Sequence, residues 1–169
     1  EGSYALYLGK LAPNKGTSHL VAIIERAQLE WPLIIVGDGP DRAALEARAK
    51  ASRRDIRFTG WMDQTQTTAW LAHASLLVFP SRGPESLSRV LLEASALGVP
   101  IAAMNTGGTP DIVQHGATGL LSSTPEALAD DVRRLAGDES LRRQLGSAAA
   151  RHAERRFDAP AVVQRVESL

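Results

Sequence analysis

Short apolar segments alternate with stretches of helical periodicity through most of this 169-residue sequence. The apolar segments are predicted strands and lie at residues 4–9, 33–37, 56–60, 76–79, 100–104 and 119–121. Strands that alternate with helices in this way favour a parallel sheet with helices on both faces. The pattern therefore predicts the α/β class, in three layers, with about six parallel strands and the last of them at an edge.

After residue 124 the pattern is only helical. Pro125 suits the first position of a helix that follows Thr124, and helices are predicted over residues 125–136, 140–155 and 159–169. This all-helical C-terminal segment is expected to wrap the sheet or to dock on a region outside the chain. The length is typical of one domain and no internal repeat or linker divides it, so residues 1–169 are expected to form a single domain.

Composition narrows the classes of partner. Nineteen basic residues balance nineteen acidic ones, so the chain lacks the basic excess of a nucleic-acid-binding protein. The absence of cysteine excludes disulfides and thiolate metal sites, and it fits a cytoplasmic location. No apolar run approaches the ~18 residues of a membrane span. We therefore expect a cytoplasmic protein that does not bind nucleic acid.

Two glutamates stand around the start of the helix that follows the fourth strand. Glu85 and Glu93 have seven residues between them, and eight helical steps of ~100° bring Glu93 back to about the side of Glu85. Apolar neighbours predict burial of Glu93, and a buried carboxylate needs a partner. A carboxylate can accept hydrogen bonds from two adjacent sugar hydroxyls. Because ligands of parallel α/β sheets bind at the carboxyl ends of strands, we interpret this pair as a candidate sugar-binding site.

The turn after the first strand carries two cations. Lys10 and Lys15 flank it, and Gly9 lets the backbone come close to a ligand. Fixed cations beside backbone N–H groups suit a phosphate, although two solvated loop lysines are the alternative. No Walker sequence is present. A second glycine turn, Gly107-Gly108, is equally consistent with an anion-binding nest and with a plain tight turn.

Two further local predictions concern helix starts. Thr17 or Ser18 is expected to cap the helix that follows the first strand, and Asp63 to cap the helix that follows the third. Trp61, directly after the third strand, borders a pocket in one interpretation and packs at the rim of the core in the other.

Taken in order, eight sequence strings resemble the C-terminal, donor-binding domain of retaining GT-B glycosyltransferases of the "group 1" family. They lie at residues 7–11 with 15–16, 36–40 with 45–46, 56–60, 78–81, 85–94 with Gly98, 100–101, 107–111 and 116–120. Each string alone is weak evidence of membership, but eight strings in the same order are specific for the family. They do not indicate which sugar is transferred.

The resemblance implies a Rossmann-like fold and a transferase activity. Such an enzyme moves a sugar from a nucleoside-diphosphate sugar to an acceptor with retention of anomeric configuration, and these residues imply no further cofactor and no metal. The acceptor would be bound by an N-terminal domain of the same protein, for which this chain is too short. That N-terminal domain is the expected partner of this chain. Whether it also contacts the cytoplasmic face of a membrane is left open by the sequence. Alone, the chain is expected to bind nucleotide weakly and to transfer no sugar.

The resemblance also implies roles for individual residues. Glu93 would bind the ribose hydroxyls, and Glu85 would contact the donor sugar near the reacting centre. The diphosphate, on which charge develops, would be neutralised by Lys10 and Lys15 near Gly9. Further contacts to the nucleotide would come from the backbone around Leu87 and Ser88, and the base would lie near Arg57, Phe58 and Gly60.

Three departures from the family pattern bear on these roles. Lys10 stands where arginine is usual, and lysine lacks the bidentate fork. Ser86 and Ser88 replace glycines of the loop, which puts close backbone approach in question. Arg89 replaces an apolar residue and either reaches the nucleotide or faces solvent. The alternatives are a non-catalytic module that binds nucleotide sugars, and another GT-B enzyme such as a sugar-nucleotide epimerase.

Overall fold

The computed structural model describes residues 2–157, so the helix predicted over residues 159–169 lies outside the described part. Six parallel strands form one sheet: β1 (Ala5–Leu8), β2 (Leu33–Val36), β3 (Ile56–Gly60), β4 (Leu76–Phe79), β5 (Ile101–Met104) and β6 (Leu120–Ser122). Their order is β3-β2-β1-β4-β5-β6, the doubly wound order of Rossmann folds, with β6 at an edge. The predicted Rossmann-like α/β class is confirmed.

Seven α-helices accompany these strands in the described residues. They are α1 (Leu20–Ala27), α2 (Arg42–Ala51), α3 (Gln64–His73), α4 (Arg89–Ala96), α5 (Thr109–Ile112), α6 (Pro125–Gly137) and α7 (Glu139–Arg156). Two short 3₁₀ turns, Pro13–Lys15 and Thr17–His19, precede α1.

Alternate residues of each strand face the two helical layers. In β1, Tyr7 packs with the layer that contains α1, α2 and α6, while Leu6 packs with the layer that contains α3, α4 and α5. Because both faces are covered, the inner strands are apolar throughout, as Leu33–Val36 illustrates.

The described part of the helical C-terminal segment wraps the sheet. Helix α6 packs beside α1 in one layer, and α7 then crosses to α4 in the other. The crossing is close at Gly146, where a Cβ atom would overlap the carbonyl oxygen of Gly98. Two small residues therefore allow α7 to join the layers.

Of the two side-chain caps predicted from the sequence, the one at Asp63 is confirmed, and Thr124 also caps a helix. Asp63 accepts a hydrogen bond from the Gln66 backbone N–H at 2.8 Å in a full capping box, and Thr124 accepts one from Ala127 at 3.1 Å. The cap predicted for Thr17 or Ser18 is wrong. The Thr17 hydroxyl is buried and donates to the Asp41 carboxylate at 2.6 Å, which ties α1 to α2 instead.

Candidate functional site

The strand order reverses between β1 and β4, so the loops that leave these two strands face each other across a crevice. Backbone hydrogen bonds join them. The N–H groups of Arg82 and Gly83 both donate to the Asn14 carbonyl, at 3.1 and 2.8 Å. Residues nearly 70 positions apart are thereby held in one rigid unit.

Gly16 allows the two loops to lie this close. Its φ of 68° is in the left-handed region, and a Cβ atom there would overlap the carbonyl oxygen of Pro80. Since Gly16 directly follows Lys15, the close packing also places the Lys15 side chain at the β4 loop.

Lys15 and Glu85 form an ion pair inside the crevice. Lys15 Nζ donates to Glu85 Oε1 at 2.6 Å, and the Ser81 hydroxyl donates to the same oxygen at 2.8 Å. The side chains are 31% and 13% exposed. Burial raises the pKa of Glu85, but the hydrogen bonds from Lys15 and Ser81 and the lysine charge outweigh it and hold the pKa below its usual value. Glu85 is therefore held in place by two hydrogen bonds, and its carboxyl group favours the ionised form.

The Gly107-Gly108 turn packs against the backbone of Glu85. The Gly108 N–H donates to the Glu85 carbonyl at 2.5 Å. A Cβ atom on Gly107 would overlap the Glu85 backbone, and one on Gly108 would overlap the Ser86 carbonyl. These glycines thus let two turns pack backbone to backbone, which is a packing role that neither interpretation of the sequence included.

Two cavities meet at the end of β1. One of about 140 Å³ lies between β1 and β4 and is lined by Tyr7, Leu8, Gly9, Lys10, Lys15, Phe79, Pro80, Ser81, Ser88 and Val90. The other, of about 440 Å³, lies toward β2 and β3 and is lined by Leu8, Gly9, Lys10, Val36, Gly37, Asp38, Trp61, Met62 and Thr67. Gly9 and Lys10 border both, so the structure brings together the three residues proposed from sequence as a phosphate site.

Tyr7 shapes the loop that carries Lys10. Its hydroxyl donates to the Lys10 carbonyl at 2.7 Å. Burial raises the pKa of Tyr7 well above its usual value, and the charges of Glu85 and Asp41 add to the effect, so the phenol remains a hydrogen-bond donor.

Helix α4 begins after Glu85, whereas the comparison of Glu85 with Glu93 by helical steps requires both residues to be in the helix. It starts at Arg89, with Ser88 as its N-cap accepting from the Leu91 N–H at 3.3 Å. Glu85 therefore lies in the loop, so counting helical steps from Glu85 to Glu93 does not apply. Leu87 is also outside the helix, and it is 55% exposed.

Glu93 is buried in α4 with 7% of its surface exposed. Its Oε1 accepts from Gln64 Nε2 at 3.4 Å and from the Arg89 guanidinium at 3.5 Å. Both distances lie at the outer limit of hydrogen bonding, so these contacts are weak for a buried carboxylate. Glu93 therefore retains capacity to accept stronger hydrogen bonds.

The residues predicted to lie near a base are spread over two sides of β3. Arg57 pairs with Asp55 at 2.6 Å and lines a separate groove of about 980 Å³, while Phe58 packs in the layer of α1 and α2. Gly60 accepts a hydrogen bond from the Gly37 N–H at 2.9 Å, beside the larger cavity. The structure therefore does not bring Arg57 and Phe58 together with Lys10.

Trp61, which directly follows β3, lines the cavity of about 440 Å³. It is 76% exposed, an unusual state for tryptophan. Its position immediately after β3 was the available sequence signal, because side chains just beyond a parallel strand lie at the ligand-binding edge. What the sequence left open was whether the ring packs or stays exposed.

In residues 2–157, no group of three or more histidine or acidic side chains is arranged to bind a metal ion. Within the same residues, no helix combines the length and apolar character that crossing a membrane requires.

The sequence of this chain is similar to those of known proteins. The family model described as "Glycosyl transferases group 1" matches residues 2–138. The D-inositol 3-phosphate glycosyltransferase of Streptomyces avermitilis is 37% identical over 88% of this chain and 35% of its own length. The 2-deoxystreptamine N-acetyl-D-glucosaminyltransferase of Niallia circulans is 33% identical over 83% of this chain and 38% of its own length.

A solved structure shows the same fold. Anabaena HepE, crystallised in complex with UDP-glucose, superposes on 98% of this chain with a TM-score of 0.81 and 25% identity, over 47% of the HepE chain. The present chain thus spans less than half the length of each of these three proteins.

Proposed function

This chain belongs to the glycosyl transferases group 1 family, and we propose that it binds the nucleoside-diphosphate-sugar donor of a retaining glycosyltransferase. The observation that carries the proposal is the Lys15–Glu85 pair at 2.6 Å, beside Gly9 and Lys10, where the strand order reverses. Ligands of such sheets bind at this point. HepE, of the same fold, was crystallised with UDP-glucose, which supports a nucleotide sugar as the ligand.

The diphosphate is assigned to the end of β1. Lys10 and Lys15 border the smaller cavity from the β1 loop, and Ser88 borders it from the start of α4. A helix N-terminus has backbone N–H groups without intrahelical partners, which favour an anion. Two cations and these N–H groups would stabilise the charge that develops on the departing diphosphate.

Glu85 is assigned to the donor sugar. Its Oε1 is already occupied by Lys15 and Ser81, which orients the carboxylate. A lysine ammonium has three N–H groups, so Lys15 can keep its bond to Glu85 and still donate to a phosphate oxygen. One side chain would thus couple the position of the sugar to that of the leaving group.

The nucleoside is assigned to the other side of Lys10. Glu93 would accept the ribose hydroxyls, and the larger cavity would take the base, with the exposed ring of Trp61 as a surface for stacking. A volume of about 440 Å³ suits a ligand group of this size.

The serine at the helix start supports an intact site. Ser88 caps α4, and serine is at least as favourable as glycine in that position. Serine in place of the family glycine therefore keeps the start of α4 capped.

Calorimetric titration of the chain with UDP, GDP and ADP tests the proposal. We expect one nucleotide to bind and Glu93→Ala to weaken it roughly 10- to 100-fold, the value of one hydrogen bond to a charged acceptor. Glu139→Ala is the matched control, because Glu139 also pairs with an arginine four residues away on a helix but lies exposed on α7. Failure of all three nucleotides to bind would refute the proposal, whereas binding left unchanged by Glu93→Ala would refute the assignment of the ribose to Glu93.

The chain alone is expected to bind its donor without transferring sugar. It spans less than half of the glycosyltransferases that it resembles, and the acceptor would be bound by the remainder of such a protein. Transfer to any acceptor by the purified 169-residue chain would contradict this.

A further inference from the structure

Arg89 and Gln64 form a polar clamp on Glu93. Gln64 is the first residue of α3 and Arg89 the first residue of α4. The Arg89 guanidinium donates to Gln64 Oε1 at 2.9 Å, and both side chains then reach Glu93 Oε1, at 3.5 and 3.4 Å. Thr68 holds Gln64 in turn, since Gln64 Nε2 lies 3.2 Å from its hydroxyl. The clamp therefore fixes the side chain of Gln64 between two helices.

Both contacts that the clamp makes with Glu93 are to the same oxygen, Oε1. Oε1 is shared by Gln64 and Arg89, and these two long contacts together restrain the rotation of the carboxylate. A glutamate side chain loses rotational freedom when it binds a ligand, and a side chain ordered beforehand loses less. Oε2 then lies on the opposite side of the carboxylate from the clamp.

We infer that Arg89 and Gln64 are positioning residues for ribose recognition, holding Oε1 of Glu93 so that Oε2 is presented to the ribose hydroxyls. The inference rests on the proposed function, in which Glu93 binds the ribose.

The test compares a ribonucleotide with its deoxy analogues. The probes are the best-binding nucleoside diphosphate of UDP, GDP and ADP and its 2′-deoxy and 3′-deoxy forms, titrated into wild type and Arg89→Leu. Wild type is expected to prefer the ribonucleotide roughly tenfold or more, because each lost hydroxyl removes a bond to a charged acceptor. In Arg89→Leu this preference should fall about threefold to fivefold, as expected for an exposed ion pair, while the deoxy nucleotide binds as before.

Controls separate positioning from folding and charge. Arg143→Leu removes an equally exposed arginine from an i,i+4 pair on α7 and should leave the preference unchanged. Arg89→Lys keeps the charge but cannot contact Gln64 and Glu93 with one planar group, so it should recover only part of the preference. Gln64→Leu should reproduce Arg89→Leu and answers the question if the arginine variant does not fold.

Each outcome has a defined meaning. An unchanged preference in Arg89→Leu and Gln64→Leu overturns the inference alone, provided that wild-type binding depends on Glu93. Equal weakening of ribo- and deoxynucleotide also overturns it, because Arg89 would then contact another part of the ligand. If wild type binds no nucleotide, the proposed function fails, and the inference fails with it.

Discussion

Gly16→Ala tests whether the β1 and β4 loops are packed as the site requires. The variant adds one methyl group to a buried residue with a φ of 68°, and that methyl would overlap the Pro80 carbonyl. Pro80 meets this methyl group with backbone atoms, which cannot rotate away as a flexible side chain could. The loop must shift, and Lys15 must shift with it.

The magnitude follows from two terms. An alanine in left-handed backbone costs about 1–2 kcal/mol, of which about 0.4–1 kcal/mol is offset because alanine restricts the unfolded chain. Overpacking against a rigid neighbour costs a further 1–3 kcal/mol or so. The expected loss of unfolding free energy is therefore about 1–4.5 kcal/mol and is centred near ~3 kcal/mol, a large part of the ~5–15 kcal/mol of a typical domain.

Gly116→Ala is the matched control. Gly116 has a φ of 75° but nothing within 4 Å of an added Cβ atom, so only the backbone term applies. Urea unfolding monitored by circular dichroism should show a midpoint lower by roughly 1–2 M for Gly16→Ala and by about half a molar for Gly116→Ala. Nucleotide affinity should fall only in the first variant. Equal destabilisation of the two would refute the reasoning, since the contact with Pro80 would then contribute nothing.

Three other predictions concern single contacts. Glu85→Gln should destabilise the chain at pH 7 by about 1 kcal/mol, the value of a partly exposed pair. Because the pKa of Glu85 is lowered on folding by Lys15 and Ser81, this difference should be complete above about pH 4.5 and should be lost as the pH falls through the lower pKa of the folded state, and an undiminished difference at pH 3 would contradict it. Ser88→Ala should cost about 1 kcal/mol in urea unfolding but Ser88→Gly only a few tenths, an order that reverses if Ser88 is not the cap. Gly146→Ala should lower the thermal midpoint far more than Gly137→Ala, whose Cβ meets nothing within 4 Å; equal midpoints would mean that α7 does not pack on α4 as described.

Several features of the site were predictable because their signals are local. The apolar run at Leu33–Val36 predicts a buried strand wherever it lies in the sheet, and Asp63 followed by Gln66 predicts a helix start. Lys10 directly follows one predicted strand and Glu85 lies in the loop after another, so their placement at the ligand-binding edge also follows from sequence.

Other features depend on atoms far away in the chain. The start of α4 at Arg89 was missed, since the helical pattern runs back to Leu87 while Ser88 supplies the cap. The cavity that Trp61 lines is completed by residues from other parts of the chain, such as Gly37 and Thr67. The support of Glu85 by the Gly107-Gly108 turn joins two loops that no single sequence window contains.

The sequence by itself determined the class of fold, the segments that form strands and helices, and the loops that carry charge. Those properties follow from periodicity and from backbone preferences within a few residues. The tertiary structure alone decided that Lys15 meets Glu85 and that Glu93 is held by Gln64 and Arg89. Such pairings arise because burial of both sheet faces brings β1 beside β4, and only then do close contacts such as Gly16 on Pro80 set distances within the site.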